Sequence, residues 1–198
     1  ALGIPMIALT QKTEFPHYGD YIFSNFITPE MQVQALGGYV FHELGLKRVA
    51  CLYPDDKYGN RYMQIFRQTV DQFEGQLTGV QAYDGGKTDF SEAIKALISN
   101  SGLNFQALFI PDSVSRINLI LPQLVYHDAK DIALLGTNLW HKDSLLKETR
   151  GYNKNAVICD GYFSGSANPE TRWFDGAFKD LYQESPGFLE AIAYDTAQ

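Results

Sequence analysis

The sequence has no long hydrophobic run. Its apolar stretches, such as residues 106–111 and 131–135, fall far short of the roughly 18 residues a membrane-spanning helix requires, so no transmembrane segment is expected. Basic residues are few: 16 Lys and Arg stand against 23 Asp and Glu, a net charge of −7, with no Lys/Arg cluster. That balance disfavours nucleic acid and anionic membrane as partners. No basic-then-apolar N-terminal segment with a small-residue cleavage site is present, so the compartment has to be read from other features. Cysteine is scarce too. Cys51 and Cys159 both lie inside apolar runs, Arg48-Val-Ala-Cys-Leu-Tyr53 and Ala156-Val-Ile-Cys-Asp160, and are expected to be buried, inert thiols.

The motifs of common catalysts are missing as well. Gly161-Tyr-Phe-Ser164-Gly165 has the wrong spacing for a nucleophile elbow. Gly86-Lys87-Thr88 suggests a phosphate loop, but the residue five before Gly86 is Gln81, so the segment reads as a turn ahead of a helix. No Gly-x-Gly-x-x-Gly follows a strand, which removes the simplest dinucleotide site. The four histidines, His17, His42, His127 and His141, lack metal-ligand spacing and stand apart from any cysteine pair. No cofactor and no metal are therefore expected.

What is present is an ordinary globular composition, 45% hydrophobic and 20% charged, in 198 residues: room for one large domain or two small lobes. Short β-rich runs alternate with helical periodicity. Strands are predicted over 4–9, 21–27, 48–53, 77–83, 105–110 and 132–136, with helices over 29–44, 60–73, 90–99 and 113–127 between them. This is repeated βαβ organisation, hence a mostly parallel α/β sheet. Thr28-Pro29-Glu30 and Asn168-Pro169-Glu170 place proline at the first helical position behind a capping residue. Asp89-Phe-Ser-Glu92 reads as a capping box, and Gly45 and Gly102 as helix-closing glycines. Ala1-Leu-Gly3 resembles the last turn of a helix, and residues 189–198 form a helical pattern without a cap. Elements of the fold are therefore expected to lie outside this sequence. Trp140 and Trp173 are expected in the core, with a cleft or interface position as the alternative.

An open parallel sheet binds ligands at the carboxyl ends of its strands, and four such ends carry polar and aromatic residues. They are Thr10-Gln-Lys-Thr13, Tyr53-Pro-Asp-Asp-Lys-Tyr58-Gly59, Pro111-Asp112-Ser113 and Thr137-Asn138-Leu-Trp140. Hydroxyls, amides, one carboxylate and aromatics, with no paired acid and base, suit capture of a small polar or amphiphilic solute better than bond-breaking.

Several segments together resemble the type I periplasmic ligand-binding fold of leucine/isoleucine/valine-binding proteins. They are Leu2-Gly-Ile-Pro-Met-Ile7, Tyr21-Ile-Phe, the stretch from Glu43 through Pro54-Asp-Asp-Lys-Tyr-Gly59, Gly86-Lys-Thr-Asp-Phe90, Leu134-Leu-Gly-Thr137 and Ala191-Ile-Ala-Tyr-Asp195. They occur in the family's order over nearly the whole chain. The resemblance implies two α/β lobes joined by three crossovers, closing like a hinge on ligand, with part of the first lobe missing. Residues 1–28 and 162–198 would belong to that first lobe and 29–161 to the second.

In amino-acid binders of this family a loop of small residues holds the ligand carboxylate, a tyrosine in Asp-x-x-Tyr-Gly contacts the ligand, and an acidic residue after a later strand holds the ammonium. Tyr58 matches the tyrosine, and Thr10, Gln11 and Lys12 match the loop with larger side chains. Asn138 stands where the acid would be, and an amide cannot supply charge-assisted pairing to an ammonium, which disfavours a plain α-amino acid. Asp112, after the neighbouring strand, is the candidate to supply the charge instead, with Ser113 beside it.

The implied function is a non-enzymatic extracytoplasmic binding domain, periplasmic or envelope-anchored, delivering solute to an ABC permease or sensing it. A competing implication comes from Phe109-Ile-Pro-Asp-Ser113, Leu119-Ile-Leu-Pro-Gln-Leu124 and Gly136-Thr-Asn-Leu-Trp140. These are similar to the penicillin-binding protein activator lipoproteins, in which the fold contacts a cell-wall synthase to regulate peptidoglycan synthesis.

Overall fold

The computed structural model describes residues 4–12, 15–98, 102–141 and 155–198. The expected helical turn at Ala1–Gly3 and the end of the helix predicted to Ser99 lie outside them. The chain divides into two compact units, Ala1–Thr28 with Asp160–Gln198, and Pro29–Cys159.

The larger unit is a parallel α/β sheet with helices on both faces. In chain order it comprises α1 (Pro29–Gly38), which runs on as a π-helical turn over Tyr39–Glu43, β3 (Arg48–Pro54), α2 (Lys57–Gln72), β4 (Gln76–Tyr83), α3 (Ser91–Leu97), β5 (Ala107–Phe109), α4 (Val114–Tyr126), β6 (Ala133–Gly136) and β7 (Ala156–Ile158). The strands are ordered β4-β3-β5-β6-β7, every neighbouring pair parallel. The chain starts at β3, steps to one side for β4, then crosses to the other side for β5. The order therefore reverses between β3 and β5, and at such a point the loops leaving the two strands diverge and open a crevice.

Successive strand residues point to opposite faces, and here they feed two separate cores. Ala50, Leu52, Leu108, Ile110 and Leu134 pack with α3, α4 and Trp140. Their neighbours Val49, Cys51, Ala107, Phe109 and Leu135 pack with α1 and α2. Burial on both faces explains why the strands read as unbroken apolar runs. The helices show the complementary spacing: α2 buries Tyr62, Ile65, Phe66, Thr69 and Val70, a single stripe at intervals of three and four.

Several boundaries differ from the sequence prediction for local reasons. Helix α2 begins at Lys57 rather than residue 60, because Asp56, in extended conformation, accepts the Gly59 amide at 2.7 Å and caps the turn. Asp89 does not cap α3. It sits one residue ahead of the cap position and accepts from the Ser91 amide, while the Phe90 amide donates to Gln123 Oε1 of α4 at 2.7 Å. Gly45 closes the π-helical turn at φ +63°, while Gly102 has positive φ but lies beyond the end of α3. Cys51 is buried, and burial pushes its thiol well up. Cys159 falls one residue past β7 and is only half-buried, so the expectation of a fully buried thiol holds for Cys51 alone.

The smaller unit pairs β1 (Met6–Ala8) in parallel with β2 (Ile22–Ser24), Met6 opposite Ile22, and adds helices α5 (Pro169–Tyr182) and α6 (Phe188–Ala197). Asn168 caps α5 by accepting from the Glu170 amide at 2.8 Å. Among its described residues Phe174, Pro186, Ala191 and Ile192 are buried. Phe26 meets Phe188 edge-on, and Asn25 Nδ2 donates to Thr196 Oγ1 at 2.8 Å, which ties the end of β2 to α6. Trp173 is 63% exposed on α5, contrary to the core position expected, whereas Trp140 is fully buried.

Candidate functional site

In the larger unit, three of the chemistry-bearing strand ends converge on the carboxyl edge of the sheet. The first is the start of α2. The Asp56 cap and the Asn60 side chain, which donates to the Asp56 carbonyl at 2.8 Å, fix the first helical turn, and Tyr58 projects from it half-buried. Its ring lies 4.6 Å from that of Tyr62 one turn on, and its hydroxyl is 3.5 Å from Thr137 Oγ1 at the end of β6. Burial pushes the Tyr58 hydroxyl above its ordinary value, opposed by hydrogen bonding with Thr137 and Tyr62. Removing the cap by Asp56→Ala should cost about 1 kcal/mol, seen as a lower urea midpoint at unchanged slope.

The second is the turn after β6. Asn138 opens a short 3-10 turn, Asn138–Trp140, and its backbone amide donates to Gln32 Oε1 of α1 at 3.0 Å. Gln32 is fully buried, and its Nε2 donates to the Tyr62 hydroxyl at 3.4 Å. Asn138 Oδ1 is enclosed without a hydrogen-bond partner, an acceptor that a donor group would satisfy. The turn is anchored below by Trp140, whose indole N–H donates to the Ile110 carbonyl at 3.1 Å.

The third is the turn after β5. Asp112 is committed inside the unit: Oδ2 accepts from the Tyr83 hydroxyl at 2.6 Å and lies 3.7 Å from Arg116 Nε, and Oδ1 accepts from the Ser113 amide at 2.6 Å. Burial and then this hydrogen bond push the Tyr83 hydroxyl well up. The charge expected to be offered to a ligand is thus already met by Arg116, and Asp112 shapes the turn that presents Ser113. The Ser113 hydroxyl pairs with that of Ser115 at 3.0 Å and leaves the helix amides uncapped.

Thr10, Gln11 and Lys12 follow β1 in the smaller unit. The Lys12 amide donates to Thr10 Oγ1 at 3.2 Å and Ser24 Oγ to the Thr10 carbonyl at 3.0 Å, which holds the loop against the end of β2. Thr10 and Gln11 are half-buried and Lys12 is exposed.

Tyr58 and Asn138 are thus brought together through Thr137, Tyr62 and Gln32, and Asp112 with Ser113 through their own turn. Tyr62 and Gln32 were not singled out from sequence, and Thr137 was named only within the strand end that carries Asn138. The usable signal was Gln32 itself, a polar residue in the stripe of Val33, Leu36 and Val40. Among the described residues no group of three or more His, Cys, Asp or Glu is arranged to hold a metal ion.

The family model for periplasmic binding proteins matches residues 1–198. The chain belongs to the periplasmic binding protein family. Its fold is that of solved periplasmic binding proteins, although identity is low. A branched-chain amino acid ABC transporter protein from Rhodospirillum rubrum superposes with a TM-score of 0.85 at 16% identity, over 98% of this chain and 55% of that one. A leucine-binding protein from Thermotoga maritima gives 0.75 at 20% identity, with the same coverage of each chain. A branched-chain amino acid transporter substrate-binding protein from Streptococcus pneumoniae, in complex with isoleucine, gives 0.72 at 22%, again over 98% of this chain and 55% of that one. The chain therefore spans about 55% of the length of each of these three proteins. No curated protein sequence matches it. No helix among the described residues is long and apolar enough to cross a membrane.

Proposed function

We propose that this chain is the larger part of a non-enzymatic, extracytoplasmic solute-binding protein that captures a small polar or amphiphilic molecule between two lobes for ABC-type uptake or sensing. The observation that carries this reading is the carboxyl edge of the larger unit. There a half-buried tyrosine, a buried hydroxyl and an amide with an unpaired carbonyl stand together beside the strand-order reversal, in a chain of the periplasmic binding protein family. In this reading residues 29–161 form the second lobe, and 1–28 with 162–198 contribute to the first. Tyr58, Ser113 and Asn138 of the larger unit, and Thr10, Gln11 and Lys12 of the smaller one, are the residues of this reading that contact solute. Asp112 supports the Ser113 turn. The full protein is periplasmic or envelope-anchored, and a permease of the ABC type is its partner.

The test is a thermal-shift screen against amino acids, small peptides, muropeptides and aromatic acids, followed by calorimetry on any hit. A solute at a hundred times its Kd stabilises the native state by about 2.7 kcal/mol, so a true ligand gives a saturable rise in melting temperature. Tyr58→Ala should then weaken it by on the order of 1–3 kcal/mol. Unchanged affinity would remove Tyr58 from the site. A flat panel, together with pull-down of a cell-wall synthase that survives substitutions at this edge, would replace solute capture by the interaction-module reading.

A further inference from the structure

An ammonium group is held out of water only against a free carboxylate, because an unpaired charge is costly to bury. At the carboxyl edge of the larger unit each loop carboxylate already has a partner. In the loops after β3 and β4, Asp55 accepts from Asn60 Nδ2 at 3.2 Å, Asp56 from the Gly59 amide at 2.7 Å, Asp84 from the Gly86 amide at 2.8 Å and Asp89 from the Ser91 amide at 3.0 Å. All four are exposed, where pairing with a cation contributes little. Glu30, in the first turn of α1, lies 3.1 Å from Arg61. Asp112, after β5, is half-buried, but the Tyr83 hydroxyl donates to one of its oxygens and the Ser113 amide to the other, both at 2.6 Å. Turning Asp112 toward a solute would strand the hydroxyl of Tyr83, a residue only 5% exposed, and would bring a second cation beside Arg116.

Strand β6, paired to β5 with Leu135 opposite Phe109, ends in the turn that carries Asn138. Residues 137–141, Thr-Asn-Leu-Trp-His, include no acid. Gln32 Oε1 fixes the Asn138 backbone amide at 3.0 Å, and the Asn138 side-chain oxygen is enclosed without a partner. A side-chain amide offers an acceptor on one side and a donor on the other, and in either orientation it carries no charge. A hydroxyl or a carboxamide both donates and accepts, so it satisfies either face. An ammonium only donates, and it brings a charge that nothing in this turn balances.

We infer that the group of the solute met by Asn138 is uncharged, a hydroxyl or a carboxamide, so that the protein takes a solute bearing such a group in preference to its amine counterpart. This rests on the solute-binding reading and deepens it by naming the class of solute. Tyr83 and Arg116 are positioning residues in this selection: by engaging Asp112 they withhold the carboxylate that an amine would need.

Two measurements test it. The first needs no solute: Tyr83→Phe should lower the urea midpoint of the wild-type protein, and should lower it much less, or raise it, in an Asp112→Ala background, because the two side chains act as one unit. Equal losses in the two backgrounds would show Asp112 independent of Tyr83 and overturn the inference. The second is calorimetry with two matched pairs, each an α-amino acid and the acid with a hydroxyl in place of its amine: leucine with 2-hydroxy-4-methylpentanoate, and phenylalanine with 3-phenyllactate. The wild-type protein should bind a hydroxy acid roughly tenfold more tightly than its amino partner, and Asn138→Asp should cancel or invert that preference by supplying the missing charge. Tighter binding of the amino acid by the wild-type protein, or a preference that Asn138→Asp leaves unchanged, overturns the inference alone. If none of the four binds either protein, the inference falls together with the solute-binding reading on which it rests.

Discussion

Replacing Trp140 by alanine should cost about 4 kcal/mol of stability, within the range for deleting a buried aromatic side chain. The indole is fully buried, packed in the core formed by one face of the sheet with α3 and α4, and its N–H is bonded to the Ile110 carbonyl at 3.1 Å. Gly136 is shaped around it: a Cβ there would stand 2.2 Å from Trp140 Cδ2, so strand β6 and the ring are in direct contact with no room to spare. Alanine leaves a cavity as large as the ring, and the strand above cannot collapse into it without breaking the pairing of β6 with β5 and β7. Trp140→Phe should lose less, keeping part of the volume and giving up the bond to Ile110. Urea unfolding followed by circular dichroism checks the size of the effect, and emission spectra check its place. Of the two tryptophans Trp173 is 63% exposed, so the variant should lose the buried, blue-shifted component. A loss below about 1 kcal/mol would mean that the turn repacks, and that Asn138 is not held by the residue beneath it.

The difference between the two tryptophans shows where sequence reading reaches and where it stops. Trp140 stands in a strand-end turn and Trp173 in a helix opened by Asn168-Pro169, and neither setting by itself says which ring is buried. What separates them is that residues 138–140 fold back over the carboxyl end of β5, a tertiary relation that no window around Trp140 contains. The strands were legible because burial on both faces writes unbroken apolar runs, Val49-Ala-Cys-Leu52 for one. The same continuity hides which residue faces which core, and only the register of Val49 with Ala107 and Ala50 with Leu108 settles it. Helix α2 was placed three residues late because its first turn, Lys57-Tyr58-Gly59, lacks the apolar periodicity that marks the rest. The capping carboxylate of Asp56 determines the start instead.

At the site, position was readable and partnership was not. Strand ends followed from the βαβ rhythm, so Tyr58, Ser113 and Asn138 could be named. The state of Asp112 depends on Tyr83, 29 residues earlier, and on Arg116 one turn later. Only the second of those lies within reach of a local pattern. Gln32 and Asn138 are 106 residues apart, and a glutamine in a helix is ordinarily read as solvent-facing. Its neighbours Val33 and Leu36 were the available hint that this one faces inward.

Gly59→Ala carries the other large expected effect, and its sign opposes the usual rule. In a helix interior alanine is ordinarily favoured over glycine by about 0.5–1 kcal/mol. At position 59 a Cβ would lie 2.0 Å from the Pro54 carbonyl oxygen and 2.8 Å from two carbons of its ring. Those atoms cannot move aside cheaply, because Pro54 ends β3 in register with Tyr83 of β4, and the Asp55 amide donates to the Tyr83 carbonyl at 2.8 Å. Helix α2 cannot retreat either, since the Gly59 amide is the one held by the Asp56 cap at 2.7 Å and Tyr62 and Phe66 seat the next turns in the core. The substitution should therefore cost about 3 kcal/mol or more, with the backbone shift carried into the adjacent Tyr58. Gly38→Ala is the control within the same unit. It has helical dihedrals of −53° and −48°, and the nearest atom to its Cβ is Phe73 Cζ at 3.9 Å, so it should stabilise by up to about 0.5–1 kcal/mol. Urea midpoints moving in opposite directions for these two variants would show that the glycine after Tyr58 is required by the approach of strand to helix. Two stabilising substitutions would mean that β3 and α2 can separate, and that the close contact placing Tyr58 at the carboxyl edge is not a fixed feature of the fold.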